Sequence, residues 1–87
     1  MSHQKKIIMY GTIWCSDCHR SREFLDKQRI PYEWVDVEQD AKAMAYVTQV
    51  NQGQRRVPTI LFPDGSILVE PSDAELGAKL GLATEAS

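Results

Sequence analysis

Apolar residues in this chain fall into short runs, set apart by polar stretches with helical spacing. Ile7-Ile8-Met9-Tyr10 is one such run, bounded by Lys6 and Gly11, and it predicts a buried strand. Ser16 to Arg29 is mostly polar, with Phe24 and Leu25 placed for one buried stripe. That stretch predicts a helix closed before Pro31. Tyr32-Glu33-Trp34-Val35-Asp36-Val37 is aromatic and β-branched with partial alternation, which predicts a second strand. Asp40 is placed to cap a helix running through Asn51, whose apolar set is Ala43, Met44, Val47 and Val50. Val57-Pro58-Thr59-Ile60-Leu61-Phe62 predicts a third strand. Pro63-Asp64-Gly65-Ser66 carries turn chemistry, so Ile67-Leu68-Val69 should pair back as a hairpin. Ser72 followed three residues later by Glu75 is a capping-box pattern. It opens a last helix with Leu76 and Leu80 on one face, and residues 83–87 are expected to fray.

The order is therefore β-α-β-α-β-β-α. A strand–helix–strand unit gives a parallel pair, whereas a hairpin is antiparallel. The expected class is α/β, a four-stranded mixed sheet flanked by three helices, in one domain over residues 1–87. Composition narrows the functional classes. A net charge of −2 gives no electrostatic basis for binding nucleic acid. No apolar run approaches the ~18 residues of a membrane span. Lys5-Lys6 precedes an apolar run, but no export-type cleavage site follows. The expected compartment is the cytoplasm, where cysteines are free, metal-bound or catalytic. Two cysteines are also too few for a disulfide scaffold or a four-cysteine zinc site.

The chemistry concentrates at Trp14-Cys15-Ser16-Asp17-Cys18-His19, after the first strand and at the mouth of the first helix. Residues three apart in a first helical turn share one face and lie near enough for a disulfide. Free backbone N–H groups and the helix dipole favour a thiolate at Cys15. Cys18, one turn inside, should be more buried and less ionised. The expected roles follow: Cys15 attacks and Cys18 resolves. Other readings exist for the same residues. Cys15-Ser-Asp-Cys18-His19 also matches the c-type haem pattern. Two cysteines with His3 and His19 are nominally four zinc ligands. Two inert buried cysteines are the plainest alternative. Val57-Pro58 is the second informative place, because a proline at the start of a strand cannot donate to a ladder. A cis bond there would make a tight bend, but residue chemistry alone does not require one.

Together these sites resemble the glutaredoxin branch of the thioredoxin fold, in particular the mycoredoxin-like glutaredoxins. The carriers are Met9-Tyr10-Gly11-Thr12-Ile13-Trp14-Cys15-Ser16-Asp17-Cys18, then Ile30-Pro31-Tyr32-Glu33-Trp34-Val35-Asp36, Val50-Asn51-Gln52-Gly53, Arg56-Val57-Pro58-Thr59-Ile60 and Phe62-Pro63-Asp64-Gly65-Ser66. The likeness spans roughly residues 6–80. It implies a thiol–disulfide oxidoreductase that reduces protein disulfides or mixed disulfides with a low-molecular-weight thiol such as mycothiol or glutathione. It implies no bound cofactor and no metal. Cys15 matches the attacking cysteine and Cys18 the second. Pro58 matches a cis-proline, and Val57 a residue whose backbone pairs with the thiol. Ser72 and Asp73 match the helix start that holds the far end of that thiol. Thr12, Trp14 and Arg56 complete the expected thiol-binding set.

Departures from the family pattern shift the expected thiol. Thr12 stands where many glutathione-using members have lysine, and Arg56 stands where threonine is usual. Val69-Glu70 replaces a Gly-Gly, and Ser16-Asp17 replaces a Pro-Tyr. These turn the expectation toward mycothiol or a protein disulfide. The implied partners are protein disulfides, the low-molecular-weight thiol and a thioredoxin-reductase-type flavoenzyme, with the protein acting as a monomer. Some members of the family carry iron–sulfur clusters between two chains, which is the alternative activity alongside haem binding.

Overall fold

The computed structural model describes residues 6–82. Along it run β1 (Ile7–Gly11), α1 (Ser16–Lys27), β2 (Tyr32–Asp36), α2 (Ala41–Val50), β3 (Thr59–Leu61), β4 (Ile67–Val69) and α3 (Asp73–Lys79). The four strands form one sheet in the order β2-β1-β3-β4. β1 and β2 are parallel, with Met9 opposite Trp34. β1 pairs antiparallel with β3, Met9 facing Ile60, and β3 pairs antiparallel with β4 across the hairpin. This is the expected mixed sheet with three helices. His3 and residues 83–87, named above, lie outside the described residues.

Side chains alternate across a strand, so each face of the sheet collects its own core. Ile7, Met9 and Ile60 pack with Leu25 of α1, Leu76 of α3 and Phe62. Val37, Ala43 and Val47 form a smaller cluster against Tyr10 and Val35, which places α2 on the opposite face. Each fully buried large side chain contributes roughly 1.5–3 kcal/mol over exposure. α1 and α3 thus share the larger core, and their N-terminal ends are brought together there.

Boundaries differ from expectation where backbone chemistry intervenes. α1 stops at Lys27 and not at Arg29. Arg29 takes a left-handed φ of 58°, and the Ile30 N–H turns back to the Leu25 carbonyl at 2.9 Å. Such a closure satisfies the last helical carbonyls and ends the helix. β1 runs one residue further, to Gly11, and β2 ends at Asp36. β3 is only Thr59–Leu61, shorter than the expected Val57–Phe62. Pro58 has no N–H to give the ladder. Phe62 instead closes the turn, its N–H donating to Ser66 O and its carbonyl accepting from Gly65 N–H. Gly65 supplies the positive φ of 89° that this turn needs.

Candidate active site

α1 begins with a cysteine in the capping position. Cys15 has extended backbone dihedrals, and its Sγ accepts the Cys18 N–H at 3.2 Å. This is ordinary N-cap geometry with sulfur where oxygen is usual. Cys15 is half-buried, whereas Cys18 is fully buried, and neither is bridged. Burial pushes the Cys18 thiol up to about 12, helped by its contact with the Cys15 side chain and opposed by a backbone hydrogen bond from Thr12. Near neutral pH Cys18 is therefore a thiol. The pair is asymmetric: one sulfur is accessible and held by an N–H, and the other is desolvated.

Gly11 makes this packing possible. A Cβ on Gly11 would lie 2.6 Å from Cys18 Sγ and under 3 Å from two ring atoms of Trp34. The end of β1 therefore needs glycine so that the second cysteine and the indole can close over it. Arg22 stacks over the other part of that environment, 4.1 Å from the Trp34 ring centroid.

The Val57–Pro58 bond is cis. The Val57 carbonyl oxygen lies 3.8 Å from Cys15 Sγ, although the two residues are 42 apart in sequence. The loop is anchored from both sides. Thr59 Oγ1 donates to Arg56 O at 2.7 Å and accepts from Asn51 Nδ2 at 3.1 Å. On the far side the Glu70 N–H reaches the Pro58 carbonyl at 2.9 Å.

The remaining expected residues each have contacts of their own. Trp14 is 63% exposed, as is Ile13, and the Trp14 Nε1–H donates to Glu38 Oε1 at 3.0 Å. Ser72 Oγ is occupied in capping α3, where it accepts the Glu75 N–H. Asp73 lies 3.8 Å from Arg20 Nε, which ties the start of α3 to α1. Arg56 pairs with Glu70 at 3.9 Å and lines a pocket of about 320 Å³ with Gln52 and Gln54; neither cysteine lines it. Thr12 is 1% exposed, so its side chain faces the interior rather than an open groove, and its hydroxyl has no hydrogen-bond partner among the described residues. His19 is exposed, and its ring nitrogen Nε2 contacts the Ile13 carbonyl oxygen. Among the described residues no three His, Cys, Asp or Glu side chains gather into a metal-binding group.

Gly11, Glu38, Asn51 and Arg20 contribute through contacts that cross the fold. Gly11 and Asn51 stand within the runs that carry the family resemblance, and Arg20 reads in sequence as a cation near the cysteines, but none of these signals assigns the contact the residue makes. Glu38 looks like ordinary polar surface until the chain is folded.

Comparison with known proteins gives a consistent picture. The glutaredoxin family model matches residues 7–67. A Mycobacterium tuberculosis protein with a provisional glutaredoxin name is 45% identical over 74 residues, which is 85% of this chain and 88% of the relative. Mycoredoxin 1 of Corynebacterium glutamicum is 39% identical over 74 residues, 85% of this chain and 91% of that protein. A solved thioredoxin-like protein superposes with a TM-score of 0.76 at 28% identity, covering 91% of this chain and 99% of the other. The glutaredoxin of Methanosarcina mazei superposes with a TM-score of 0.75 at 24% identity, covering 94% and 85%, a likeness of fold.

Proposed function

Because the chain belongs to the glutaredoxin family, and so is a thiol–disulfide oxidoreductase working with a low-molecular-weight thiol, we propose that Cys15 is its attacking sulfur and mycothiol its co-substrate. The observation that carries the assignment of roles is the asymmetry of the two cysteines. Cys15 is accessible and accepts an N–H, while Cys18 is buried with its thiol held up to about 12. A thiolate is the nucleophile in disulfide exchange, and a buried thiol with a raised pKa is a poor one.

The reaction then follows. Cys15 thiolate attacks the low-molecular-weight sulfur of a protein mixed disulfide, and the protein leaves as a thiolate that takes a proton. The new disulfide joins Cys15 to the small thiol. A second small thiol, deprotonated, attacks that disulfide, releases the oxidised small thiol and returns Cys15 as thiolate. Cys18 is not needed for this monothiol route. The Val57 backbone, whose carbonyl lies 3.8 Å from Cys15 Sγ, is proposed to run beside the small thiol, with Pro58 and Trp14 as further thiol-binding residues. Ser72 and Asp73 are proposed for the far end of the thiol, and Arg56 for its approach. Thr12 is buried and contacts both cysteines through its backbone, accepting the Cys15 N–H and hydrogen-bonding Cys18. Mycothiol is favoured by the mycoredoxin relative and by the residues that depart from the glutathione-using pattern, Thr12 and Arg56 among them. A thioredoxin-reductase-type flavoenzyme is the proposed electron source for the dithiol alternative. We place the protein in the cytoplasm as a monomer; no helix among the described residues is long and apolar enough to cross a membrane.

The deciding experiment offers protein mixed disulfides of mycothiol, glutathione and bacillithiol, each with its own thiol, to the parent and to Cys18→Ser. Fastest turnover is expected with mycothiol, retained in Cys18→Ser. Preference for glutathione removes the mycothiol assignment. Loss of turnover in a folded Cys18→Ser protein removes the monothiol route.

A further inference from the structure

Arg20 sits between two carboxylates at the edge of the cysteine site. Its Nη1 donates to Asp17 Oδ1 at 3.1 Å, one helical turn away. Its Nε lies 3.8 Å from Asp73 Oδ1 on α3. Its Nη2 donates to the Pro71 carbonyl at 3.2 Å. Asp17 is two residues from Cys15 on the first turn of α1, and Asp73 opens α3, whose preceding loop bonds Pro58 through Glu70. The three side chains are each about half exposed, at 47%, 47% and 49%. Nothing in sulfur exchange itself calls for a cation bridging these two acids. Exposed pairs of this kind add little stability, but they set the local field felt by an incoming charged group.

The geometry points to Arg20 as a residue that determines charge selectivity at Cys15, by compensating Asp17 and Asp73 so that uncharged and anionic disulfides are accepted. This inference rests on Cys15 being the attacking sulfur. The formal charge of the trio is −1 with arginine present and −2 with glutamine in its place. A more negative edge repels an anionic disulfide and attracts a cationic one. The bond changes are those of ordinary exchange: Cys15 thiolate bonds to one sulfur of a small disulfide RSSR, the S–S bond breaks, and RS⁻ leaves.

The test is a single-turnover measurement on pre-reduced protein. The probes are 3,3′-dithiodipropionate (anionic), bis(2-hydroxyethyl) disulfide (neutral) and cystamine (cationic). The readout is the ratio of the anionic to the cationic rate, in which any general loss of Cys15 reactivity cancels. Arg20→Gln is expected to lower that ratio on the order of fivefold at low ionic strength, and high salt should erase the change. Arg20→Lys, which keeps the charge, should hold the ratio near the parent value. Adding Asp73→Asn to Arg20→Gln returns the trio to −1 and should bring the ratio back, an effect that a purely structural role would not produce. An unchanged ratio in folded Arg20→Gln, or an equal fall in Arg20→Lys, overturns the assignment of Arg20 alone. Undiminished reaction of Cys15→Ser with the neutral probe overturns the reading of Cys15 and this inference with it.

Discussion

The N-terminal ends of α1 and α3 meet the same need with different atoms. Each leaves backbone N–H groups without helical partners. At α3, Ser72 Oγ accepts the Glu75 N–H at 3.1 Å, and Glu75 Oε1 accepts the Ser72 N–H at 2.8 Å in return. The box is closed on itself. At α1, Cys15 Sγ accepts the Cys18 N–H at 3.2 Å, but the residue three positions on is itself a cysteine, buried and turned inward. Cys18 has no carboxylate to return the bond, and the Cys15 N–H instead donates to the Thr12 carbonyl at 3.3 Å. α2 takes a third course, with Asp40 Oδ1 accepting the Ala43 N–H at 3.1 Å. A helix start wants an acceptor, and sulfur meets that want while also supplying the proposed nucleophile. The capping box left open at α1 leaves that sulfur half-buried, whereas the closed box at α3 holds the start of a helix tied to α1 through Arg20 and Asp73.

The comparison breaks most sharply at Cys15. Cys15→Ser retains a good capping acceptor and removes the proposed nucleophile. Turnover of a mycothiol mixed disulfide should fall by about 10³-fold or more. Stability from urea unfolding should stay within about 0.5 kcal/mol of the parent. A serine variant that works, or one that loses its fold, refutes the idea that cap and nucleophile are separable properties of one residue.

The largest effect on stability should come from pH acting on Cys18. Its native thiol stands at about 12 against an ordinary value of 9.0. Below pH 9 the thiol is protonated whether the chain is folded or not, so it adds no pH dependence. Between pH 9 and 12 the unfolded chain gives up this proton and the native state keeps it, so stability falls as pH rises. Cys18→Ser should lose that slope. Urea midpoints of both proteins, followed from neutral pH upward, should diverge above pH 9; parallel curves would count against a desolvated thiol.

Smaller effects sharpen the same contrast. Gly11→Ala forces a methyl against Cys18 Sγ and the Trp34 ring, and should cost about 1–3 kcal/mol. A neutral result would mean that the close approach beneath α1 can relax. Ser72→Ala opens the closed box at α3 and should cost about 1 kcal/mol in urea unfolding. A loss below a few tenths would show that Glu75 carries that end alone.

Much of the scaffold is legible from local chemistry. Asp40 and Ser72 announce their helices because a cap and its N–H are three residues apart. Pro63-Asp64-Gly65-Ser66 announces the hairpin, since Asp64 bonds Ser66 only two residues on. The end of α1 was less legible. Arg29 is not a residue that favours left-handed backbone, and its φ of 58° follows from the Ile30–Leu25 closure. β3 is shorter than its side chains suggest for a related reason. Val57 and Phe62 have strand-like side chains, but Pro58 and the turn claim their backbone groups. At the site, the resemblance to glutaredoxins singles out Val57 and Pro58, yet the ties that hold them, Asn51 to Thr59 and Glu70 to Pro58, join separate stretches of chain, and no motif announces such a pairing.

By itself the sequence determines periodicity, caps and turns, and with them a cysteine at the mouth of the first helix. These depend on neighbours within about four residues, so the chain specifies them before it is folded. Tertiary structure decides the rest. It sets the Val57 carbonyl 3.8 Å from Cys15 and joins Asp17 to Asp73 through Arg20. It also buries one cysteine and leaves the other half open. Desolvation and contact across 42 residues are properties of packed surfaces. Position at the helix mouth already sets the two thiols apart in expectation, and the packed structure fixes how far, by desolvating Cys18 completely.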